Sequence, residues 1–592
     1  MNPYTFDFAA VYHTPDGVYA YPLDIDTLCI RIRTAKSDCL CVHIRFKDVY
    51  DHVILPERKR MELIRSDKYY DYYETEIRNK NKRFKYFFEL TDRSGNVWDY
   101  SYSEFKEHDD EYNEFYFYPY LFAEEVPDPP EWVIGGMIYQ IFIDRFRNGD
   151  ISNDPADRLA WNELPSSKSF YGGDLKGITE KMEYIASLGA NMIYVNPIFL
   201  SDSNHKYDTI DYYTIDPCFG SVEDACDMVR QAHRFGIRVI LDAVFNHCSN
   251  KNSIFQDVVA NGHNSDHYDW FSVDGNSIKI SPHNYDTFAA QVPEMPRLNT
   301  SNPRVQDYLA DVAVYWTGLL DIDGWRLDVA DEVSHVLWKK LRARLREVKP
   351  DIYILGEVWN RAAPWLMGDE FDSVTNYRFR KTILTMAKND SWTNEDFWDQ
   401  ICFNEMNYRS WNLPYMVNLL SSHDVKRIMT EMNGCDELVR ALLGVMMTYP
   451  GIPLLYYGDE IGIEGGEDPD NRRTMKWNEK GQEPDMLVFV RKISAFRRSS
   501  DAVRFGGIKP LRGIAERVIG FERVSSDGKK VIVLANLDNA ETLVVCDSMH
   551  NSVPKAARVL KSALDDRSFD PVASGVFEIK LKEYDFLVLS SG

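Results

Sequence analysis

The 592-residue sequence has no CxxC pair, no long apolar run and no excess of basic residues, and each absence narrows what the chain can be. Its nine cysteines are scattered between Cys29 and Cys546; an odd number without paired spacing supplies no disulfide framework and suits free thiols in a reducing compartment. No stretch reaches the length of a bilayer span. The opening "MNPYTFDFAAVYHTPDGVYAYPLD" also lacks the basic-then-apolar pattern of a secretory leader, so the expectation is a soluble, cytoplasmic protein without a membrane partner. A formal charge of -24 would repel the phosphates of nucleic acid and of anionic membranes, and it favours a neutral ligand. There is no HExxH to hold a hydrolytic zinc, and "IGIEGG" lacks the lysine and helix start of a phosphate loop. The basic run "RKRMELIR" from Arg58 reads as a solvated face, and no repeat or low-complexity tract is present.

What is present is enough apolar material for more than one core: 44% of residues are hydrophobic and 13% aromatic, at a length that predicts two or three domains. Residues 1–125 alternate short β-type runs with turns and predict an N-terminal β-sandwich. "EVPDPPEWV" marks a boundary. From 126 to 505 strands and helices alternate, with eight strand patterns running from "MIYQIFIDRF" to "IPLLYYGDE" by way of a weak one at "FDSVTN"; this predicts a (β/α)₈ barrel. Residues 506–592 return to β-alternation and predict a C-terminal sheet domain.

In such a barrel, reactive groups project from the C-terminal ends of the strands. Four ends stand out: "LDAVFNH" with Asp242, Asn246 and His247; "GWRLDVADE" with Arg326 and Asp328; "ILGEVW" with Glu357; and "LLSSHD" with His423 and Asp424. Strand side chains alternate, so Arg326 and Asp328 face the same way, and the guanidinium is expected to keep Asp328 ionised as a nucleophile. Glu357, between "YILG" and Val358–Trp359, is expected in apolar surroundings that raise its proton affinity and make it the general acid and base. Two carboxyl groups in opposite states are what acetal hydrolysis requires.

"DAVFNH", "GWRLDVADEV", "GEVW" and "SSHD" resemble the four signature regions of the α-amylase family of glycoside hydrolases, in that family's order. More narrowly, "YQIFIDRFRNGDISNDP", "FYGGDLKGI", "NHKYDTIDYYTIDPCFG", "MPRLNT" and "GDEIGIEGGEDPDNRRTMKW" are similar to its neopullulanase, cyclomaltodextrinase and maltogenic amylase branch. The resemblance implies a retaining mechanism on α-1,4-glucans, with Asp424 as the third carboxylate, binding sugar hydroxyls and favouring a distorted ring. It places His247, Arg326 and His423 in the same subsite, His205 and Tyr207 against the same sugar, Asp468 and Arg472 on the next glucose, and Trp359 on the acceptor side. It also implies a homodimer in which the N-terminal domain covers a partner's active site. A glucan transferase or isomerase would use the same intermediate with a sugar in place of water. A non-catalytic glycan-binding relative would be expected to lose one or more of the three carboxylates, which are all here. Asp331, where the branch often has asparagine, and Glu467 and Asn471 depart from its common wording.

"NGDISND" and "YGGD" bring Asn148, Asp150, Asn153, Asp154 and Asp174 together with the carbonyl of Gly172. Such residues favour turns, and they are also the oxygen ligands a hard cation takes. The related branch carries calcium at this spacing, which implies a structural calcium site here.

Overall fold

Short runs of β-branched and apolar residues, each followed by a helix-forming stretch, can bury their strands by pairing them in parallel under a layer of helices. A computed structural model describes residues 6–51, 56–102, 104–109, 114–477, 483–547, 559–573 and 575–591. Its central strands are β1 (Ile138–Ile141), β2 (Met192–Val195), β3 (Arg238–Ala243), β4 (Gly324–Leu327), β5 (Tyr353–Gly356), β6 (Ser373–Val374), β7 (Val417–Leu419) and β8 (Ile452–Tyr456). They pair in the order β6-β5-β4-β3-β2-β1-β8-β7, every ladder parallel. A parallel bridge from Thr375 to Val417 joins the two ends. The barrel expected from the alternation is the barrel observed, with the weak sixth strand reduced to two residues.

Alternation along each strand sorts the interior into layers. Ile138, Met192, Ile240, Tyr353, Leu355, Leu419 and Leu454 belong to one buried cluster. Asp242 shares a face with Ile240 two residues earlier, and the ladder sets it directly beside Arg326 of β4. The charges therefore sit one step above an apolar floor, at the C-terminal mouth. Gly324 lets β4 and β5 approach below them: a Cβ there would lie 2.8 Å from the Tyr353 carbonyl oxygen. Outside the barrel, helix Val222–Arg234 starts from a Ser221–Asp224 capping box, and helix Pro303–Leu320 from Asn302 with proline in its first turn. The C-terminal residues form a six-stranded sheet, in which Val518–Val524 pairs with Lys530–Asn536, and a separate two-stranded ladder, Thr542–Asp547 with Val576–Leu581.

The N-terminal strands form two antiparallel sheets, of four and six strands, over a core that includes Leu28, Ile30, Val42, Ile44, Phe84 and Phe88. The basic run begins on an exposed strand, Glu57–Arg60, where Arg58 donates to Glu89 at 3.0 Å, and continues past the buried Met61 into the strand Glu62–Ser66. The compact unit built on these sheets comprises Met1–Asp128 together with Arg361–Asp372 and Glu395–Leu413. Arg31 shows why those later segments belong to it. Its buried guanidinium pairs with Glu74 at 2.9 Å and donates to the carbonyls of Met406 (3.2 Å) and Tyr408 (2.9 Å). Cys402 and Met406 pack against Tyr72 beside it.

Candidate active site

The centre of the barrel mouth is the guanidinium of Arg326, which is 2% exposed. Its Nη1 donates to both oxygens of Asp242, at 2.9 and 3.0 Å, and to Asp328 Oδ1 at 2.8 Å. Nη2 lies 2.8 Å from Glu357 Oε2 and 4.0 Å from Asp424 Oδ2. One planar fork thus serves four carboxylates delivered by β3, β4, β5 and β7. Asp242 is held from its other side by the hydroxyls of Tyr194 (2.5 Å) and Tyr207 (2.7 Å), so it orients the arginine. Its place opposite Arg326 in the ladder is the signal that identifies it as the anchor, and that signal needs strand register, which the sequence does not print.

Three buried carboxylates and a fourth, Asp424, whose side chain is a quarter exposed, cannot all ionise cheaply against one cation. Burial pushes Asp328 well above the usual carboxylate range, and the charges of Glu357, Asp242 and Asp424 add to this against the pull of Arg326. Burial also raises Asp242, and it raises Asp424 to about 7. Arg326 opposes the shift of Asp328, in the direction the sequence leads one to expect, but against three neighbouring carboxylates as well as burial. The expected apolar surroundings of Glu357 are absent. Leu355 packs into the barrel floor, while the Glu357 carboxylate accepts from the Val329 N–H (3.0 Å) and Trp359 Nε1 (3.2 Å) besides its ion pair with Arg326. The acid and base roles therefore do not follow from one polar and one apolar niche.

Val329 makes the Glu357 contact possible by a strained turn. It sits at φ 45°, ψ 45°, a left-handed conformation that costs a β-branched residue about 1–3 kcal/mol. The turn ends β4 just after Asp328 and aims the next N–H across to β5.

A cavity of about 520 Å³ opens above this cluster, lined by His205, Tyr207, His247, Asp328, Glu357, Trp359, Asp424, Asp468 and Arg472, with Phe288 and Met295 from the hairpin Thr287–Pro296. Arg326 and His423 lie beneath its wall, so all eleven residues expected at the catalytic and sugar subsites meet at this one site. Burial lowers His205 to about 3 and His247 to about 4, and it lowers His423 well below its ordinary value; all three are neutral imidazoles. His423 Nδ1 lies 2.7 Å from Gln140 Nε2 at the end of β1, and its Nε2 lies 2.6 Å from the Tyr207 hydroxyl and 3.2 Å from Asp424 Oδ1. The Tyr207 and His423 rings are parallel to within 1°, 5.4 Å apart. Asp468 pairs with Arg472 at 3.0 Å. Trp359 stacks on Tyr377 at 3.8 Å and 5° and remains 43% exposed. Among the described residues, the buried atoms His247 Nε2, Asn246 Oδ1 and Asp424 Oδ2 have no hydrogen-bond partner. His247 and Asp424 line the cavity, and their unpaired atoms are positions a polyhydroxylated ligand can satisfy.

At the loop expected to hold calcium, Asn148 Nδ2 donates to Asp154 Oδ1 at 2.5 Å, and Asp174 accepts from the N–H groups of Gly149 (3.1 Å), Asp150 (2.7 Å) and Gly177 (2.6 Å). Asp150 accepts from Ser152 and from Lys176. Gly172 packs so closely that a Cβ would lie 2.3 Å from Asp154 Oδ1. Asn148 Oδ1 and Asn153 Oδ1 are buried without a partner, which fits an oxygen-seeking cation. No group of three or more His, Cys, Asp or Glu side chains among the described residues could by itself hold a metal, so the amide and carbonyl oxygens are essential to any such set.

Residues 140–507 match the alpha amylase catalytic domain, and residues 7–122 match the alpha amylase N-terminal ig-like domain. A cyclomaltodextrinase from Thermoanaerobacter pseudethanolicus is 43% identical over 538 residues, 90% of this chain and 93% of that one. Neopullulanase 2 of Thermoactinomyces vulgaris is 37% identical over 593 residues, covering 98% and 99%. The intracellular maltogenic amylase of Bacillus subtilis is 40% identical over 506 residues, covering 84% and 85%. A solved cyclomaltodextrinase structure superposes with a TM-score of 0.91 at 35% identity, over 99% of this chain and 100% of that one. With the barrel, its carboxylate-lined mouth and these likenesses together, the chain belongs to the α-amylase family of glycoside hydrolases.

Proposed function

We propose that this protein is a retaining hydrolase of α-1,4-glucosidic bonds in cyclodextrins, pullulan or short maltooligosaccharides, with Asp328 as nucleophile and Glu357 as acid and base. One observation carries the reading: the two carboxylates lie 2.8 Å from the two terminal nitrogens of the same guanidinium, on the wall of one cavity, so both attend one sugar unit. An Asp328 oxygen attacks the anomeric carbon while Glu357 gives a proton to the glycosidic oxygen. The C1–O bond breaks and the leaving glucan departs with that proton. Glu357 then takes a proton from water, whose oxygen attacks C1 and frees Asp328 with net retention. Arg326 stays bound to both carboxylates and stabilises whichever carries the charge. The free Asp424 Oδ2 and His247 Nε2 hydrogen-bond the ring hydroxyls, with His205, His423 and Tyr207 beside the same sugar and Asp468–Arg472 on the next.

The related cyclomaltodextrinases and neopullulanase support the substrate class. Incubating the protein with cyclodextrin, pullulan and maltotriose, identifying products by chromatography and reading the first-formed anomer by NMR, tests the whole scheme; a β-anomer would refute it. The exposed Trp359 platform favours a second outcome on the same scaffold, glycosyl transfer or isomerisation with a sugar as acceptor, seen as products longer than the substrate. The intracellular relative supports a cytoplasmic location. Among the described residues, no helix is long and apolar enough to cross a membrane. A homodimer, supported by the ig-like N-terminal match, predicts twice the chain mass in light scattering at micromolar concentration, and a monomeric mass removes it. The oxygens of Asn148, Asp150, Asn153, Asp154 and Asp174, with the Gly172 carbonyl, would hold calcium in a purely structural role.

A further inference from the structure

Trp359 lines the active-site cavity and also a second groove, of about 620 Å³, that runs along helix Tyr377–Lys388. In a chain of net charge -24, this groove is lined by Arg378, Arg380, Lys381 and Lys388 and, among the described residues, by no acid. Two of the four cations are already engaged: Arg380 and Lys388 both pair with Glu431, the former at 3.0 Å. Arg378 and Lys381 have no ion-pair partner among the described residues. They stand three apart on one helix, where like charges repel unless an anion lies between them. The groove's position is set by the reading of Glu357 as the proton donor, on which this inference rests. Trp359 Nε1 donates to Glu357 Oε1, the oxygen not engaged by Arg326, so the tryptophan marks the side from which a protonated leaving group departs.

We propose that the groove beyond Trp359 is an anion subsite on the leaving-group side and takes a phosphorylated sugar. A sugar ring stacks on Trp359, and its phosphate reaches the fork of Arg378 and the ammonium of Lys381. The site would let the enzyme bind, and transfer glycosyl units onto, sugar phosphates in preference to neutral sugars. In that transfer the acceptor's hydroxyl oxygen bonds to C1, Asp328 is released and Glu357 takes the hydroxyl proton, so no further reactant is needed.

Calorimetric titration of the full-length protein with glucose 6-phosphate and with glucose, alongside maltotriose hydrolysis on the same preparation, tests this. Glucose 6-phosphate should bind at least about fivefold more tightly than glucose, and the advantage should shrink as salt rises from about 50 to 500 mM. The double variant Arg378→Ser/Lys381→Ser should lose the advantage while keeping its affinity for glucose, and Lys381→Ser alone, at an exposed position, should lose part of it. Equal affinities for the two sugars, or a preference that survives in the double variant, would overturn the subsite; continued cleavage of maltotriose would leave the proposed hydrolysis standing. Inorganic phosphate binding as tightly as glucose 6-phosphate would mark a free-phosphate effector site and overturn the sugar-phosphate assignment.

Discussion

Arg326 carries more than its share of neutralisation, and the residue-scale behaviour of the site follows from that shortfall. Replacing Glu357 by Gln keeps its size but removes the transferable proton, and it leaves one amide oxygen to accept where two carboxylate oxygens serve the Val329 N–H and Trp359 Nε1. Turnover of maltotriose should fall by about 10²–10⁴-fold. An aryl maltoside, whose phenolate leaves unprotonated, should lose far less in its first step; equal losses on both substrates would reject the assignment. Asp424 offers a test of opposite sign. Its folded value of about 7 lies above the ordinary 3.8, so the folded state holds a proton that the unfolded chain releases, and stability drains away as pH rises between about 4 and 7. Asp424→Asn removes that loss. A quarter of the side chain meets solvent, which screens the effect to about 1–2 kcal/mol. The variant should therefore melt a few degrees above the wild type at pH 8, converge with it near pH 4, and be inactive. A lower melting temperature at pH 8 would show that the carboxylate is not under electrostatic strain.

At the scale of elements, the strands were legible because apolar alternation and strand length survive in the sequence alone, and the charges on their ends were legible because "LDAVFNH", "GWRLDV" and "SSHD" interrupt otherwise buried runs. What the sequence hid was the environment each end acquires. Glu357 looks apolar along its own strand, yet Arg326 from β4 and the left-handed Val329 surround it with donors, and neither contact is local. The loop 148–154 poses the same problem, since turn-forming residues and cation ligands are the same residue types, and only Asn148 Oδ1 and Asn153 Oδ1 are buried there without a partner among the described residues. Its prediction is specific. Chelation with EDTA should lower the melting temperature by several degrees, and added calcium, at about 100 times its dissociation constant, should restore roughly 2–3 kcal/mol of stability. Asp154→Ala should melt like the chelated wild type and no longer respond to calcium. An EDTA-insensitive melt removes the metal.

At the scale of the whole molecule, the proline-rich stretch near residue 127 suggests that the barrel could be cut free of the N-terminal strands, and the contacts of Arg31 argue that it cannot. Arg361–Asp372 and Glu395–Leu413 leave the chain of the barrel after β5 and β6 and fold into the compact unit of residues 1–128. Without that unit, the carbonyls of Met406 and Tyr408 lose the guanidinium that satisfies them, and Cys402 and Met406 lose the apolar cover of Tyr72. Buried polar groups left unpaired cost about 1–3 kcal/mol each, and an exposed apolar segment promotes aggregation. A truncated chain of residues 129–592 should be insoluble or molten, although it retains all of β1–β8 and every residue of the cavity. Full-length Arg31→Ala should fold, because the sheets remain, but it should be less stable by about 2–4 kcal/mol, since its loss leaves Glu74 without its cation and takes a charged donor from two carbonyls. Circular dichroism melts and maltotriose kinetics on both proteins decide the matter. A soluble truncated chain with wild-type kcat/KM would show that the two excursions are dispensable ornaments of the barrel and not part of what holds it folded.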